Sequence, residues 1–117
     1  MARSEKANLL QGTLDMLILR SLQSGKKHGY QITRWLDTTS ENAILVEEGS
    51  LYPALHRMER RGWIESDWGR SESNRRAKFY KLTASGRSQL KKEITEWESL
   101  SSAISLILTT RGVGLEP

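Results

Sequence analysis

The spacing of apolar residues along this chain changes at Gly62. Before that glycine, apolar residues recur at intervals of three and four, and after it they alternate with polar residues in two short runs, WIESDW and AKFYKL. A period of 3.6 indicates amphipathic helices, whereas a period of 2 indicates strands with one buried face. The helical period returns after Thr83. The predicted order is therefore three helices, two strands and a long final helix.

Turn-forming residues set the predicted helix boundaries. Helix one is expected over about 9–24 and helix two over about 29–37, each followed by Gly- or Ser-containing loops. A short β-branched stretch, ILV, then leads to helix three, for which Ser50 is the expected N-cap and Pro53 lies in the first turn. The same helix should end at Gly62, because glycine adopts the left-handed conformation with least strain.

The two strands are expected to pair as a hairpin with the long tip GRSESNRR, and Thr83 is expected to cap the last helix. At 117 residues the chain suits one small domain. Three helices followed by a hairpin form the winged variant of the helix-turn-helix fold, in which the hairpin is the wing. We therefore predict a mainly α protein with a small β-hairpin: a winged helix-turn-helix domain over 1–83, a C-terminal dimerisation helix over 84–108 and a flexible tail over 109–117.

Positive charge is concentrated between residues 50 and 87. That segment has nine Lys or Arg and four acidic residues, a net charge of +5, whereas the rest of the chain carries −1 of the total of +4. A basic segment in an otherwise balanced chain is expected of a protein that binds a polyanion. An ordinary solvated surface is the alternative, and charge alone does not choose between them.

Helix three has an apolar face made by Leu51, Leu55 and Met58. A helix-turn-helix protein packs that face on its core and inserts the opposite face into the major groove of DNA. Arginine recognises guanine through two acceptors, and tyrosine hydroxyls more often contact phosphate. The outward residues predicted to contact DNA are Tyr52, His56, Arg57 and Arg60, and the wing adds Arg75, Arg76 and Lys78. Solvated arginines paired with Glu59, and a basic but unbound wing tip, are the alternatives.

The last helix carries an apolar seam with one polar break. Leu90, Ile94, Trp97, Ser101, Ile104 and Leu108 step by 4, 3, 4, 3 and 4 residues. A helix that projects from a small domain has no core with which to cover such a seam, and helix one has apolar surface to spare, so a two-fold dimer is the economical arrangement. Packing within one chain is the alternative. The predicted dimer-interface residues are Leu10, Leu14, Leu17, Leu90, Ile94, Trp97, Ile104 and Leu108.

Trp97 lies in the middle of this seam. A large aromatic side chain there serves either as ordinary interface packing or as a platform for a small ligand between the two chains. The sequence keeps both interpretations.

Several other kinds of site are not expected. The chain has no Cys, and its two histidines, His28 and His56, lack metal-ligand spacing, so we predict no disulfide, no metal and no cofactor. His28 is instead expected to start helix two. We find no catalytic constellation and no Gly-rich phosphate loop, so an enzyme is not expected. We also find no apolar run long enough for a transmembrane helix and no signal peptide at the start of the sequence.

Four stretches together resemble the short form of the PadR family of bacterial transcriptional regulators: LLQGTLDMLILRSL, HGYQI, EEGSLYPALHRMERRGWIES and RRAKFYKLTASGRSQL. The resemblance runs from about Leu9 to Leu90 and continues more loosely through the last helix. It implies a cytoplasmic homodimer that binds a palindromic operator in double-stranded DNA and represses a neighbouring gene. Release by a small hydrophobic or aromatic effector is a further expectation for such a regulator.

The resemblance also assigns roles to particular residues. Ser50, Tyr52 and Pro53 match the DNA-facing turn of the family, and the wing cations match its basic wing. The acidic Glu72 departs from a uniformly basic tip. The alternative function is a winged-helix module for protein–protein interaction, without sequence-specific DNA binding.

Overall fold

The computed structural model describes the backbone of residues 2–111 and the side chains of residues 12–111. Its elements follow the predicted order, with one short strand in addition. The elements are α1 (Ala2–Leu22), β1 (Lys27–His28), α2 (Gly29–Thr39), α3 (Glu48–Arg60), β2 (Ile64–Arg70), β3 (Arg76–Leu82) and α4 (Ala84–Thr109). The mainly α winged helix-turn-helix class with a long C-terminal helix is confirmed.

The sheet has three strands rather than the two predicted. Strand β1 pairs antiparallel with β3, which gives the order β1-β3-β2. A two-residue strand is too short to show a period in the sequence, which is why it was missed. The second residue of β1, His28, also caps α2: its Nδ1 accepts from the Gln31 amide at 3.3 Å, and the His28 amide donates to Gln31 Oε1 at 3.1 Å. The prediction that His28 starts helix two is confirmed.

Helix α3 begins earlier than predicted, and Ser50 is not its N-cap. The N-cap is Glu47, whose carbonyl accepts from the amides of both Ser50 and Leu51 at 3.0 Å. Pro53 therefore lies inside the helix, beyond the first turn. Its missing N–H removes the hydrogen bond that residue 53 would otherwise donate to the Gly49 carbonyl. At the other end Gly62 has φ of +79°, so the predicted glycine stop is confirmed.

Helix α1 begins earlier than predicted, at Ala2, and ends at Leu22, two residues before its predicted end. Together α1, α2, α3, the sheet and the start of α4 enclose one apolar core. The buried apolar residues described are Ile18, Leu19, Leu22, Ile32, Leu36, Leu51, Ala54, Leu55, Met58, Ile64, Tyr80, Leu82 and Leu90. The predicted inner face of helix three is thus confirmed.

The start of α4 is joined to the start of the wing. Thr83 Oγ1 accepts from the Gly86 amide at 3.0 Å, as predicted for a cap, and donates to the Gly62 carbonyl at 2.6 Å. Gly86 packs so closely on the Trp63 carbonyl that a Cβ would overlap it. Glycine is therefore required here by the close approach of two backbone segments.

Beyond Ile94, α4 leaves the core, and its described residues are exposed except for the half-buried Ser101. The helix ends at Thr109, close to the predicted limit, and the predicted flexible tail lies mostly outside the described residues. No helix within 2–111 has the length and hydropathy needed to cross a membrane.

Candidate nucleic-acid interface

The outward face of α3 is polar and accessible. Its exposed residues include five of the six residues predicted to contact DNA from this segment: Ser50, Tyr52, Pro53, His56 and Arg60. They lie opposite the buried stripe, so the helix presents a face that is free to enter a groove.

Arg57 is the exception, and the prediction that its side chain points outward is wrong. Its Nη2 lies 2.6 Å from Asp15 Oδ1 on α1, and only 21% of the Arg57 side chain is exposed. Arg57 sits at the edge of the buried stripe, beside Met58, and its long side chain reaches a carboxylate on another helix. Burial raises the pKa of Asp15, and the Arg57 guanidinium offsets that rise only in part.

Tyr52 has a second contact that the sequence did not reveal. Its hydroxyl packs against Gly29, the first residue of α2, so closely that a Cβ on Gly29 would overlap the phenol oxygen. The ring is still 40% exposed. Tyr52 therefore touches the N-terminus of α2 and the solvent at once. The only feature of the sequence that pointed to this contact was Gly29 itself, a glycine at the start of a helix where no turn requires one.

One face of the wing adjoins α3. The strand register pairs Ser66 with Tyr80, Trp68 with Lys78 and Arg70 with Arg76, and directly opposed residues share a face of the sheet. Glu59 of α3 accepts from Ser66 Oγ at 2.6 Å and lies 3.8 Å from Lys78 Nζ, which identifies this face as the one next to α3. The cations of this face thus continue the outward surface of α3.

Lys78 already has an acidic partner in the same chain, Glu59, and the Lys78 side chain is only 34% exposed. The alternative drawn from the sequence paired Glu59 with the arginines of α3, but its partners in the structure are Lys78 and Ser66. Glu59 thus joins the wing to α3, the helix predicted to enter the major groove, which we call the recognition helix.

Trp68 is a surface residue that the sequence analysis missed. Its ring is 56% exposed, and the Arg76 guanidinium stacks on it with 4.4 Å between the guanidinium carbon and the ring centroid. Because side chains alternate between the two faces of a strand, the sequence pattern puts Trp68 on the same face as the buried Ile64. The strand extends past the core, however, so the same face is covered at Ile64 and open at Trp68.

The wing tip is shorter than predicted. The turn covers residues 71–75, closed by the Ser71 amide donating to the Arg75 carbonyl at 2.8 Å, with Asn74 at φ of +62°. Glu72, the acidic departure in the tip, accepts from Gln31 Nε2 of α2 at 3.2 Å. Arg75 and Arg76 remain exposed on either side of the turn's end.

An aromatic–cation pair on α2 borders the wing tip and was also missed. Tyr30 is 64% exposed, and Arg34 donates from Nη1 to its hydroxyl at 3.1 Å. Both residues line a shallow groove that includes Glu72. In a helix-turn-helix the first helix of the pair crosses the DNA backbone, so these groups are further candidates for phosphate contact.

The predicted dimer residues whose side chains are described fall into three groups. Leu14, Leu17 and Ile94 are half-buried, whereas Trp97, Ile104 and Leu108 are exposed by 46%, 43% and 77%. Leu90 is buried inside the chain, because the first turns of α4 pack on the winged domain, so its assignment to a dimer interface is wrong. Leu10 lies outside the residues whose side chains the structure describes.

A largely apolar groove of about 510 Å³ separates α1 from the loop before α3. Leu14, Leu17, Ile44, Leu45 and Pro53 contribute to its walls, but Trp97 does not. The prediction that Trp97 supports a small ligand therefore draws no support from this groove.

Comparison with known proteins places this fold and surface in a family. Residues 18–92 match the model of the transcriptional regulator PadR-like family. An uncharacterised protein from Lysinibacillus sphaericus is 26% identical over 103 residues, which cover 88% of this chain and 94% of that protein.

Two solved structures show the same architecture. A transcriptional regulator from Clostridium thermocellum is 30% identical, with a TM-score of 0.76 over 84% of this chain and 95% of that one. A PadR-like transcriptional regulator from Bacillus cereus is 28% identical, with a TM-score of 0.76 over 89% of this chain and 99% of that one. Because the family match covers more than half of the sequence and the winged-helix surface is present, this protein belongs to the PadR-like family of DNA-binding transcriptional regulators.

Proposed function

We propose that this protein is a homodimeric repressor that binds a palindromic operator through α3 and the wing. The observation that carries the proposal is one continuous surface. The exposed face of α3 continues into the wing face that bears Trp68, Arg70 and Arg76, and Glu59 joins the two elements. A surface that combines a groove-sized helix with flanking cations suits duplex DNA.

Within this surface, each group has a proposed role. Arg60 and His56 are proposed to contact base edges, a role supported by their exposure on α3. The Tyr52 hydroxyl and Ser50 suit phosphate oxygens, with Pro53 beside them. Arg75 and Arg76 are exposed at the wing turn and are proposed to contact the DNA backbone, and Lys78, already paired with Glu59, adds positive charge to the wing.

The dimer is proposed from the exposed apolar seam of α4. In the described part of the chain, residues 12–111, Trp97, Ile104 and Leu108 are each at least 43% exposed. A second copy that covers them with its own α1 and α4 would place two α3 helices on one duplex. An effector that releases the DNA is proposed on Trp97 alone, since a bulky aromatic on that seam offers a flat apolar platform. We further propose a cytoplasmic, non-enzymatic protein.

The alternative, a winged-helix module that binds another protein, predicts a different response to salt. DNA binding through several phosphates weakens steeply as salt rises, by roughly tenfold or more between 50 and 200 mM, whereas a protein interface has no such obligatory slope.

The test is a selection of duplexes from a random pool by the purified protein, followed by titration at several salt concentrations. We expect one enriched sequence with two-fold symmetry and a steep salt slope. Arg60→Ala should weaken its binding by about 1–3 kcal/mol, because it removes a base contact. Arg111→Ala, two residues beyond the end of α4, is the matched control and should bind like wild type. No enrichment, or equal affinity of Arg60→Ala, would reject the proposal.

A further inference from the structure

We propose that Arg57 is a positioning residue: its ion pair with Asp15 fixes the orientation of α3 on α1, and Arg57 does not itself contact DNA. The inference rests on the proposed function, since it concerns the same recognition helix. It differs from the role that the sequence suggests for this arginine, which is a direct contact.

The contact geometry separates Arg57 from its neighbours. The Arg57–Asp15 distance is 2.6 Å, and the two side chains are only 21% and 11% exposed. His56 and Arg60, one residue before and three after, are both exposed. A guanidinium that already holds a buried carboxylate would have to leave it unpaired in order to reach a phosphate, and an unpaired buried charge is costly.

A contribution to stability is a poor explanation for the Arg57–Asp15 ion pair. Burial raises the pKa of Asp15 even though Arg57 lies beside it, so the ionised carboxylate is disfavoured by its surroundings more than the guanidinium favours it. Buried ion pairs often contribute little to stability compared with apolar residues of similar volume, and their best supported use is to fix one geometry among several. An orientation role fits a pair of this kind.

The location of the ion pair indicates which helices it holds in a fixed orientation. Asp15 lies on α1 between Leu14 and Leu17, the half-buried residues proposed for the dimer interface. Asp15 also interacts electrostatically with Arg61, the C-cap residue of α3, and with Glu93 of α4. The Glu93 carboxylate is held by Gln89 Nε2 at 2.7 Å. Arg57 therefore ties the recognition helix to the junction of the two helices that would form the dimer.

A direct contact and a positioning role predict opposite results for one substitution. If Arg57 contacts phosphate, Asp15→Asn removes a competing anion, so DNA binding should stay the same or become stronger. If Arg57 positions α3 through Asp15, the same change weakens the pair, so DNA binding should become weaker. The salt slope separates the two roles as well, because only a lost phosphate contact reduces it, by about one unit.

The experiment titrates wild type, Arg57→Gln, Asp15→Asn and the double variant against a duplex selected by the wild-type protein and against a random duplex, at several salt concentrations. We expect each single variant to lose about tenfold on the selected duplex, in line with coupling between contacting residues. The double variant should bind no more weakly than the weaker single variant, and the salt slope should match that of wild type. Asp37→Asn on α2 makes the same charge change and should bind like wild type.

Thermal unfolding of each variant shows whether it is folded, and Asp15→Ala replaces Asp15→Asn if the latter is not. Unchanged or stronger binding by the Asp15 variants, or a flatter slope for Arg57→Gln, overturns the positioning role and leaves the proposed function intact. A wild-type protein that selects no duplex overturns the proposed function, and the positioning role with it.

Discussion

At the scale of single residues, the sequence predicted which side chains are buried better than it predicted which residues contact each other. The stripe Leu51, Leu55 and Met58 is buried as expected, because helical spacing alone determines which residues share a face. Arg57 was misplaced because its partner, Asp15, lies on a different helix, and no local pattern reports a contact between helices. Gly86 shows the same limit, since the group that requires a glycine there is the backbone carbonyl of Trp63.

Gly86→Ala should lower the free energy of unfolding by about 1–3 kcal/mol, because the added methyl overlaps the Trp63 carbonyl and forces α4 away from the wing. Alanine is otherwise the better helix former by about 1 kcal/mol, so a loss of stability means that the overlap outweighs the propensity. Urea unfolding at fixed protein concentration measures the change.

Gly12→Ala is the matched control for this substitution. Gly12 lies within α1, and apart from its chain neighbours and the backbone of its own helix nothing described stands within 4 Å of the position that its Cβ would take. Alanine there should leave stability unchanged or raise it. If the urea midpoint of Gly86→Ala is equal to or above that of wild type, the close approach of α4 to the wing does not require a glycine at this position.

At the scale of elements, the change of period at Gly62 was enough to predict the wing. Two alternating runs became β2 and β3 because each buries one face only near the core. What the sequence could not show is how the hairpin tip closes. The turn closes through hydrogen bonds within 71–75, and Gln31 of α2 donates to Glu72 in the turn, where the residue types predicted a longer tip.

Replacing Arg75 and Arg76 together with alanine should weaken binding about equally on the selected duplex and on random DNA. Both side chains are exposed at the wing turn, where phosphate contact is expected rather than base recognition. The salt slope should fall by about one unit for each lost phosphate contact. Titration by fluorescence anisotropy at several salt concentrations measures both quantities.

The matched control is the pair Lys91 and Lys92, which are exposed on α4 outside the proposed surface. Their replacement with alanine removes the same charge and should leave the slope unchanged. A loss confined to the selected duplex, with the wild-type slope, would mean that the wing reads bases instead.

At the scale of the whole molecule, the seam on α4 was only partly predicted. The heptad spacing correctly identified a helix with an apolar stripe, but it could not tell where the domain ends along that stripe. Leu90 belongs to the core, Ile94 is at its edge, and Trp97, Ile104 and Leu108 lie beyond it. These exposed residues are what a second copy is proposed to cover.

Sedimentation of the protein with a palindromic duplex tests the dimeric repressor most directly, comparing wild type with Ile104→Glu and with Ser102→Glu. Ile104 lies on the seam, so a charge there has no partner to offset its desolvation, whereas Ser102 is exposed and off the seam. We predict a wild-type dimer and two chains per duplex, with half-sites about one DNA turn apart, roughly 34–36 Å. Ser102→Glu should match wild type, and Ile104→Glu should lose both the dimer and the complex. A wild-type monomer with one chain per duplex, or a dimeric Ile104→Glu that still binds, would contradict the account.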